Sequence, residues 1–146
     1  MFWPSTTAAE KNQFRNDALL IATAARPIVP PIPGVELPGV YPLHTMEDSF
    51  RVSRRYLAGQ EPRSAVIVGS GYIGLEMADA LTRRGLNVTL VGRAQTVQPT
   101  VDAQFGSAVE ATLRSHGVRV ESDAAVHAIV QDRDGHSARH RTNKNA

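Results

Sequence analysis

The chain contains no cysteine. That absence excludes disulfide bonds, thiolate metal sites and every reaction that turns on a redox-active thiol. Long apolar runs are missing too. The longest, residues 18–25, is interrupted by Thr23 and falls far short of the roughly 20 residues needed to cross a bilayer. The first residues, Met1-Phe2-Trp3-Pro4, lack the basic start and long apolar stretch of a secretory signal. The expectation is a cytoplasmic protein with no membrane partner. Charge of one sign is scarce, at a net +2. The basic residues are scattered except for Arg139, Arg141 and Lys144 near His136 and His140, which reads as a solvated tail and not as a nucleic-acid site. The histidines at 44, 116, 127, 136 and 140 show no ligand spacing supported by carboxylates on a common face, so no metal site is expected. No catalytic acid, base or nucleophile stands out.

What is present is a globular balance, 42% hydrophobic and 21% charged, in 146 residues. That is room for one ordinary domain, or one domain plus part of another. Residues 17–23 read as a short buried strand. Six of the nine prolines, at 27, 30, 31, 33, 38 and 42, then cluster into what reads as an extended connector. Thr45 followed at the third place by Asp48 resembles a capping box, and Met46, Phe50 and Leu57 recur at near-helical spacing. A helix over residues 46–57, ended at Gly59, follows.

Residues 64–68 form a continuous apolar run, as expected for a parallel strand covered on both faces. Gly69-Ser70-Gly71-Tyr72-Ile73-Gly74 comes next. Ile73, Met77, Ala80 and Leu81 then line one side of a helix that Gly85 stops, and residues 87–91 make a second strand. A third unit starts near Asp102, with Phe105, Val109 and Leu113 on one helical stripe and Gly117 closing it. Residues 118–120 and 125–130 are further strand candidates. After Gly135 no apolar residue larger than alanine occurs.

The glycines carry the chemistry. A dinucleotide's pyrophosphate is negative, and the first amides of a helix offer unpaired donors at the positive end of the peptide dipoles. Bringing phosphate within reach requires a turn free of side chains. Gly69 makes the tight turn, Gly71 lets the backbone approach the pyrophosphate, and Gly74 lets helix pack on strand. The strand–turn–helix–strand context separates this G-x-G-x-x-G from an incidental glycine-rich loop. At the end of the second strand an acidic residue would bind the adenosine ribose of NADH. Gly92 stands there, followed by Arg93, a side chain able to pair with a 2′-phosphate, so NADPH is favoured over NADH.

With these segments placed, the chain resembles the FAD-dependent pyridine nucleotide–disulfide oxidoreductases, in the branch of coenzyme A–disulfide reductases, NADH oxidases and ferredoxin reductases. AVIVGSGYIGLEMA (residues 65–78) is similar to that family's NAD(P)H motif. DALLIATAARP (17–27) resembles the segment leaving the FAD domain, and residues 33–48 the connector after it. The resemblance implies that Tyr72 and Glu76 lie near the nicotinamide, with the tyrosine able to gate access to the flavin. It also implies that Ala22, Thr23 and Ala24 flank FAD, although Ala24 replaces a usual glycine. Nothing before Asp17 contains the family's first glycine motif or the cysteine of its disulfide-reducing members.

The fold expected is therefore α/β, a Rossmann-like doubly wound parallel sheet in three layers, incomplete at its C-terminal side and marginally stable in isolation. Its parts are a remnant of an FAD-domain strand (1–27), the proline-rich connector and helix (28–62), an NAD(P)H-binding Rossmann domain (63–135) and a disordered tail (136–146). The cofactor-binding residues are Gly69, Ser70, Gly71, Tyr72, Ile73, Gly74, Glu76, Gly92 and Arg93. The function expected is to bind NAD(P)H and position its nicotinamide for hydride transfer to FAD, the chain by itself not completing a catalytic cycle. The alternative is a truncated, non-catalytic remnant that acts by associating with a full-length relative, a separate FAD-binding chain or a second copy.

Overall fold

In the computed structural model, which describes residues 15–18, 20, 22, 26–57, 62–132 and 135–142, the elements run α1 (Met46–Leu57), β1 (Ser64–Val68), α2 (Tyr72–Thr82), β2 (Asn87–Val91), α3 (Ala103–Ser115), β3 (Arg119–Glu121), β4 (Ala124–Asp132) and β5 (Gly135–Thr142). α1 starts where the sequence indicates. The N–H and hydroxyl of Thr45 donate to Asp48 Oδ2 at 2.8 and 2.9 Å, and Thr45 Oγ1 accepts from the Asp48 N–H at 3.2 Å. This reciprocal pair satisfies amides that a first turn leaves without helical partners. Gly59, its expected end, lies outside the described residues.

α2 and α3 stop in the same way. Gly85 and Gly117 have φ of 82° and 84°, a conformation that glycine adopts without a Cβ penalty. The next N–H then turns back onto the helix, Leu86 to the Leu81 carbonyl at 3.2 Å and Val118 to the Leu113 carbonyl at 3.0 Å. Leu86 and Val118 are buried. The step that ends each helix thus also pins the entry of the next strand into the core.

β1, β2 and β3 form a parallel sheet in that order, with Ala65 opposite Val88, Ile67 opposite Leu90 and Leu90 opposite Val120. Opposed residues share a face, so these five side chains make one apolar surface. Ala78 and Leu81 of α2 and Val109 and Leu113 of α3 cover it. Burying a valine or leucine fully contributes about 1.5–3 kcal/mol, and Leu90 is completely buried. This is an α/β, Rossmann-like arrangement.

The central strand β2 is covered on its other face as well, where Val91 is 2% exposed. β1 is not. Its apolar run reads as a strand covered on both faces, yet Val66 and Val68 are 45% and 52% exposed. The physical reason is position, because β1 forms one edge of the described sheet and nothing described packs over its second face.

Four other expectations are corrected. Phe105 is 58% exposed, and the inward stripe of α3 begins instead at buried Gly106, because the loop after β2 packs on the first turn of that helix. The proline-rich connector is not simply extended. Residues 33–39 form successive turns, with Val35, Leu37 and Val40 N–H groups donating to the carbonyls of Ile32, Gly34 and Leu37, and Ile129 N–H donating to Pro33 O at 2.8 Å. Residues 136–142, read as disordered, belong to β5, paired antiparallel with β4. Strand pairing needs only backbone amides and carbonyls, so an apolar pattern could not announce it. Of the strand expected over 17–23, Asp17, Ala18, Leu20 and Ala22 are exposed and outside any strand. Residues 19, 21 and 23, with 1–14 and 143–146, lie outside the described residues.

Candidate dinucleotide site

The sheet's two successive strand ends build the site together. The Gly69 N–H donates to the Val91 carbonyl at 2.8 Å, and the Gly92 N–H to the Glu121 carbonyl at 2.9 Å, so the chain leaves β1 and β2 side by side. Gly69 has φ 119°, which turns the backbone sharply toward α2. A Cβ on Gly74 would collide with the Gly69 carbonyl oxygen. That contact is the close helix–strand packing expected of the third glycine. Gly71 caps α2 in an extended conformation, φ −85° and ψ −172°, with no side-chain hydrogen bond to the first turn. Among the described residues, no atom beyond Gly71 and its two chain neighbours lies within 4 Å of where its Cβ would be.

The result is a bare turn facing open space, followed by helix amides that no side chain caps and a first turn without acidic residues. Chemically, it can accept an anionic group on backbone donors. Tyr72 and Ile73 stand beside it, 67% and 50% exposed. Glu76 is exposed one turn further along α2, on the same side of the helix as Tyr72.

Ser70 joins this turn to the end of β2. It is 7% exposed, and its Oγ occupies the space that a Cβ on Gly92 would need. Gly92 is thus required by packing. Arg93 follows it, is exposed, and makes no ion pair among the described residues. The structure therefore brings Gly69 through Gly74 and Gly92 into one neighbourhood, with Arg93 next in the chain. Of the residues expected to flank FAD, Ala22 is exposed, while Thr23 and Ala24 lie outside the described residues.

Three residues that sequence reasoning missed hold the turn from behind. Gln98 donates its N–H to the Ser70 carbonyl at 2.7 Å, Val97 is completely buried, and Gly106 lets that loop approach α3. A glycine inside a helical pattern, about 1 kcal/mol worse than alanine there, is the signal that could have found them. At a concavity elsewhere on the surface, Glu110, Arg114 and Ser122 are paired with their own neighbours. Arg114 bridges Glu110 and the Val120 carbonyl, and the Ser122 hydroxyl donates to Glu110 Oε2 at 2.9 Å. These fasten α3 to β3. Among the described residues no cluster of histidine and carboxylates could hold a metal ion, and no helix is long and apolar enough to cross a membrane.

Comparison with known proteins agrees with this geometry. The family model described as pyridine nucleotide-disulphide oxidoreductase matches residues 4–146. The NAD(P)H sulfur oxidoreductase (CoA-dependent) of Pyrococcus furiosus is 40% identical over 108 residues, which span 73% of this chain and 24% of that protein. A water-forming NADH oxidase from Lactobacillus brevis, solved with NADH, superposes with a TM-score of 0.71 at 29% identity, covering 82% of this chain and 26% of the other. An engineered NADPH oxidase made from it, solved with NADPH, superposes with the same score at 28% identity, covering 78% and 25%. Its substitutions include an aspartate changed to alanine and, at the next position, an alanine changed to arginine. The chain spans about a quarter of the length of the relatives it matches.

Proposed function

The chain belongs to the pyridine nucleotide-disulphide oxidoreductase family, and we propose that it is the part that binds NAD(P)H and orients the nicotinamide for hydride delivery to a flavin. The observation that carries the reading is the bare Gly69–Gly71 turn, held against Gly92 by Ser70 and opening on the uncapped start of α2. The residues fit a dinucleotide. Backbone amides at the turn take the pyrophosphate, and Gly74 keeps α2 close enough for its first amides to converge there. Tyr72 and Glu76 lie toward the nicotinamide side, and Gly92 and Arg93 toward the adenosine ribose. The bound nicotinamide supplies the hydride. The protein contributes position and electrostatics.

NADPH is the preferred form. No carboxylate directly follows β2 in the chain to repel a 2′-phosphate, and the exposed Arg93 is the side chain we assign to pair with one. Support comes from the engineered NADPH oxidase, in which an aspartate was removed and an arginine set next to it. The flavin belongs to polypeptide other than residues 62–132, and its reduction is a property of the whole enzyme.

Calorimetric titration of the purified chain with NADPH and then NADH tests this, with the visible spectrum recorded first. Saturable binding, tighter for NADPH, is expected. A folded sample that binds neither nucleotide would refute the reading.

A second reading rests on β1. Its exposed Val66 and Val68 and its unpaired edge favour association with a chain that supplies the neighbouring strand, whether a full-length relative, an FAD-binding chain or another copy. Co-purification of a larger oxidoreductase chain in place of nucleotide binding would put this reading first.

A further inference from the structure

We propose that Gly106, which touches no part of the cofactor site, is a positioning residue for the dinucleotide turn and acts through one peptide unit. The proposal rests on the dinucleotide reading above. The unit is the peptide between Val97 and Gln98. Its carbonyl oxygen faces Gly106, where an added Cβ would stand 2.6 Å away. Its N–H donates to the Ser70 carbonyl at 2.7 Å. A trans peptide is planar, with oxygen and hydrogen on opposite edges. One rigid plate therefore spans from the first turn of α3 to the glycine turn after β1, and pressure on one edge moves the other.

The plate has little freedom to yield. The Val97 side chain is completely buried, so the unit cannot swing outward without opening the core. Gln98 is held at φ 52°, a left-handed conformation uncommon for a residue with a side chain, which persists only where the surroundings dictate it. The Thr96 Cβ and Oγ1 stand 3.2 Å from the same added Cβ and close the lateral route. Gly106 is buried in a helix where alanine would be the better helix former. The contact with the Val97 carbonyl supplies the reason for glycine. A methyl group at this place pushes the whole plate toward Ser70, forces the hydrogen bond between the Gln98 N–H and the Ser70 carbonyl out of line, and displaces the pyrophosphate turn.

The test uses the full 146-residue chain as wild type, Gly106→Ala, Val97→Ala and the control Ser107→Ala. Ser107 is exposed on the same helix and bonds only its own helix, at the Ala103 carbonyl. Val97→Ala loosens the plate by removing its anchor, without overpacking, and decides the matter if Gly106→Ala fails to fold. Amide hydrogen exchange is measured without nucleotide, followed by titration with NADPH and with adenosine 2′-phosphate, which has no pyrophosphate. In both test variants the Gln98 amide should exchange faster while the amides of α2 keep their protection. NADPH should bind about tenfold more weakly, as expected for a displaced positioning element, with adenosine 2′-phosphate little changed and the control like wild type. Unchanged Gln98 exchange, or equal loss for the two ligands, overturns the proposal and assigns Gly106 a general packing role. A wild type whose Gln98 amide is protected but which binds no nucleotide refutes the dinucleotide reading, and the cofactor role of Gly106 with it, leaving the brace as structure alone.

Discussion

The Ser70 hydroxyl fills the space that any side chain at Gly92 would need. The turn after β1 and the turn after β2 are therefore fitted to each other, and the two halves of the candidate site depend on one contact. Gly92→Ala should destabilise the fold by about 1–3 kcal/mol through overpacking and weaken nucleotide binding. Ser70→Gly, which removes both the Oγ and the Cβ that the new methyl meets, should recover part of that loss. A double-mutant cycle by denaturant unfolding checks the coupling, and strict additivity would contradict it.

Arg93 should discriminate between the two nicotinamide cofactors. A guanidinium paired with a phosphate contributes about 1.5–3 kcal/mol as a charge-assisted hydrogen bond. Arg93→Ala should therefore raise the Kd for NADPH by about tenfold or more and leave that for NADH nearly unchanged. Parallel calorimetric titrations decide it. An equal effect on both cofactors would place Arg93 away from the 2′-phosphate.

Asp48 ties the start of α1 to pH. The Thr45 N–H, then the Thr45 hydroxyl, then the His44 N–H hold its carboxyl below the ordinary carboxylate value. A carboxyl depressed in the folded state adds stability that is fully present above its unfolded value, about 3.9, and is lost as pH falls through the folded value. In the wild type this contribution should therefore disappear on acidification below about pH 4. Asp48→Asn should remove that limb of the pH–stability curve and leave the rest in shape. Helical circular dichroism followed from pH 7 downward would expose an error here if the two curves run parallel.

The open face of β1 should govern association. Val66 is 45% exposed on an edge strand that carries no charge, and charged residues are the usual guard on such edges. Val66→Lys should reduce self-association and precipitation while costing little stability, within about 0.5 kcal/mol for an exposed site. Sedimentation velocity across a concentration series measures this. Unaltered association would move the contact elsewhere.

Much of the glycine turn of the candidate site was legible in the sequence, because its requirements are local. Gly69, Gly71 and Gly74 are spaced by the geometry of one strand-to-helix turn, and Thr45 with Asp48 or Asp102 with Gln104 needs only a few neighbouring residues to start a helix. Gly85 and Gly117 end their helices by a backbone conformation that belongs to glycine. Periodicity fails where burial depends on distant neighbours. Phe105 fits a helical stripe and is exposed, and Val66 and Val68 fit a doubly covered strand and are not covered.

The sequence by itself determined the βαβ unit, its parallel direction and the glycine-flanked turn, since each follows from spacing within about 30 residues. Only the tertiary structure decided that β1 is an edge, that residues 135–142 pair with β4, and that Ser70 is clasped by Gly92 on one side and by Gln98 on the other. The β4–β5 hairpin rests on backbone groups that carry no side-chain pattern, and the contacts of Ser70 join segments far apart in the chain. Their geometry is set by packing around Leu90 and Val97, which no local pattern of residues encodes.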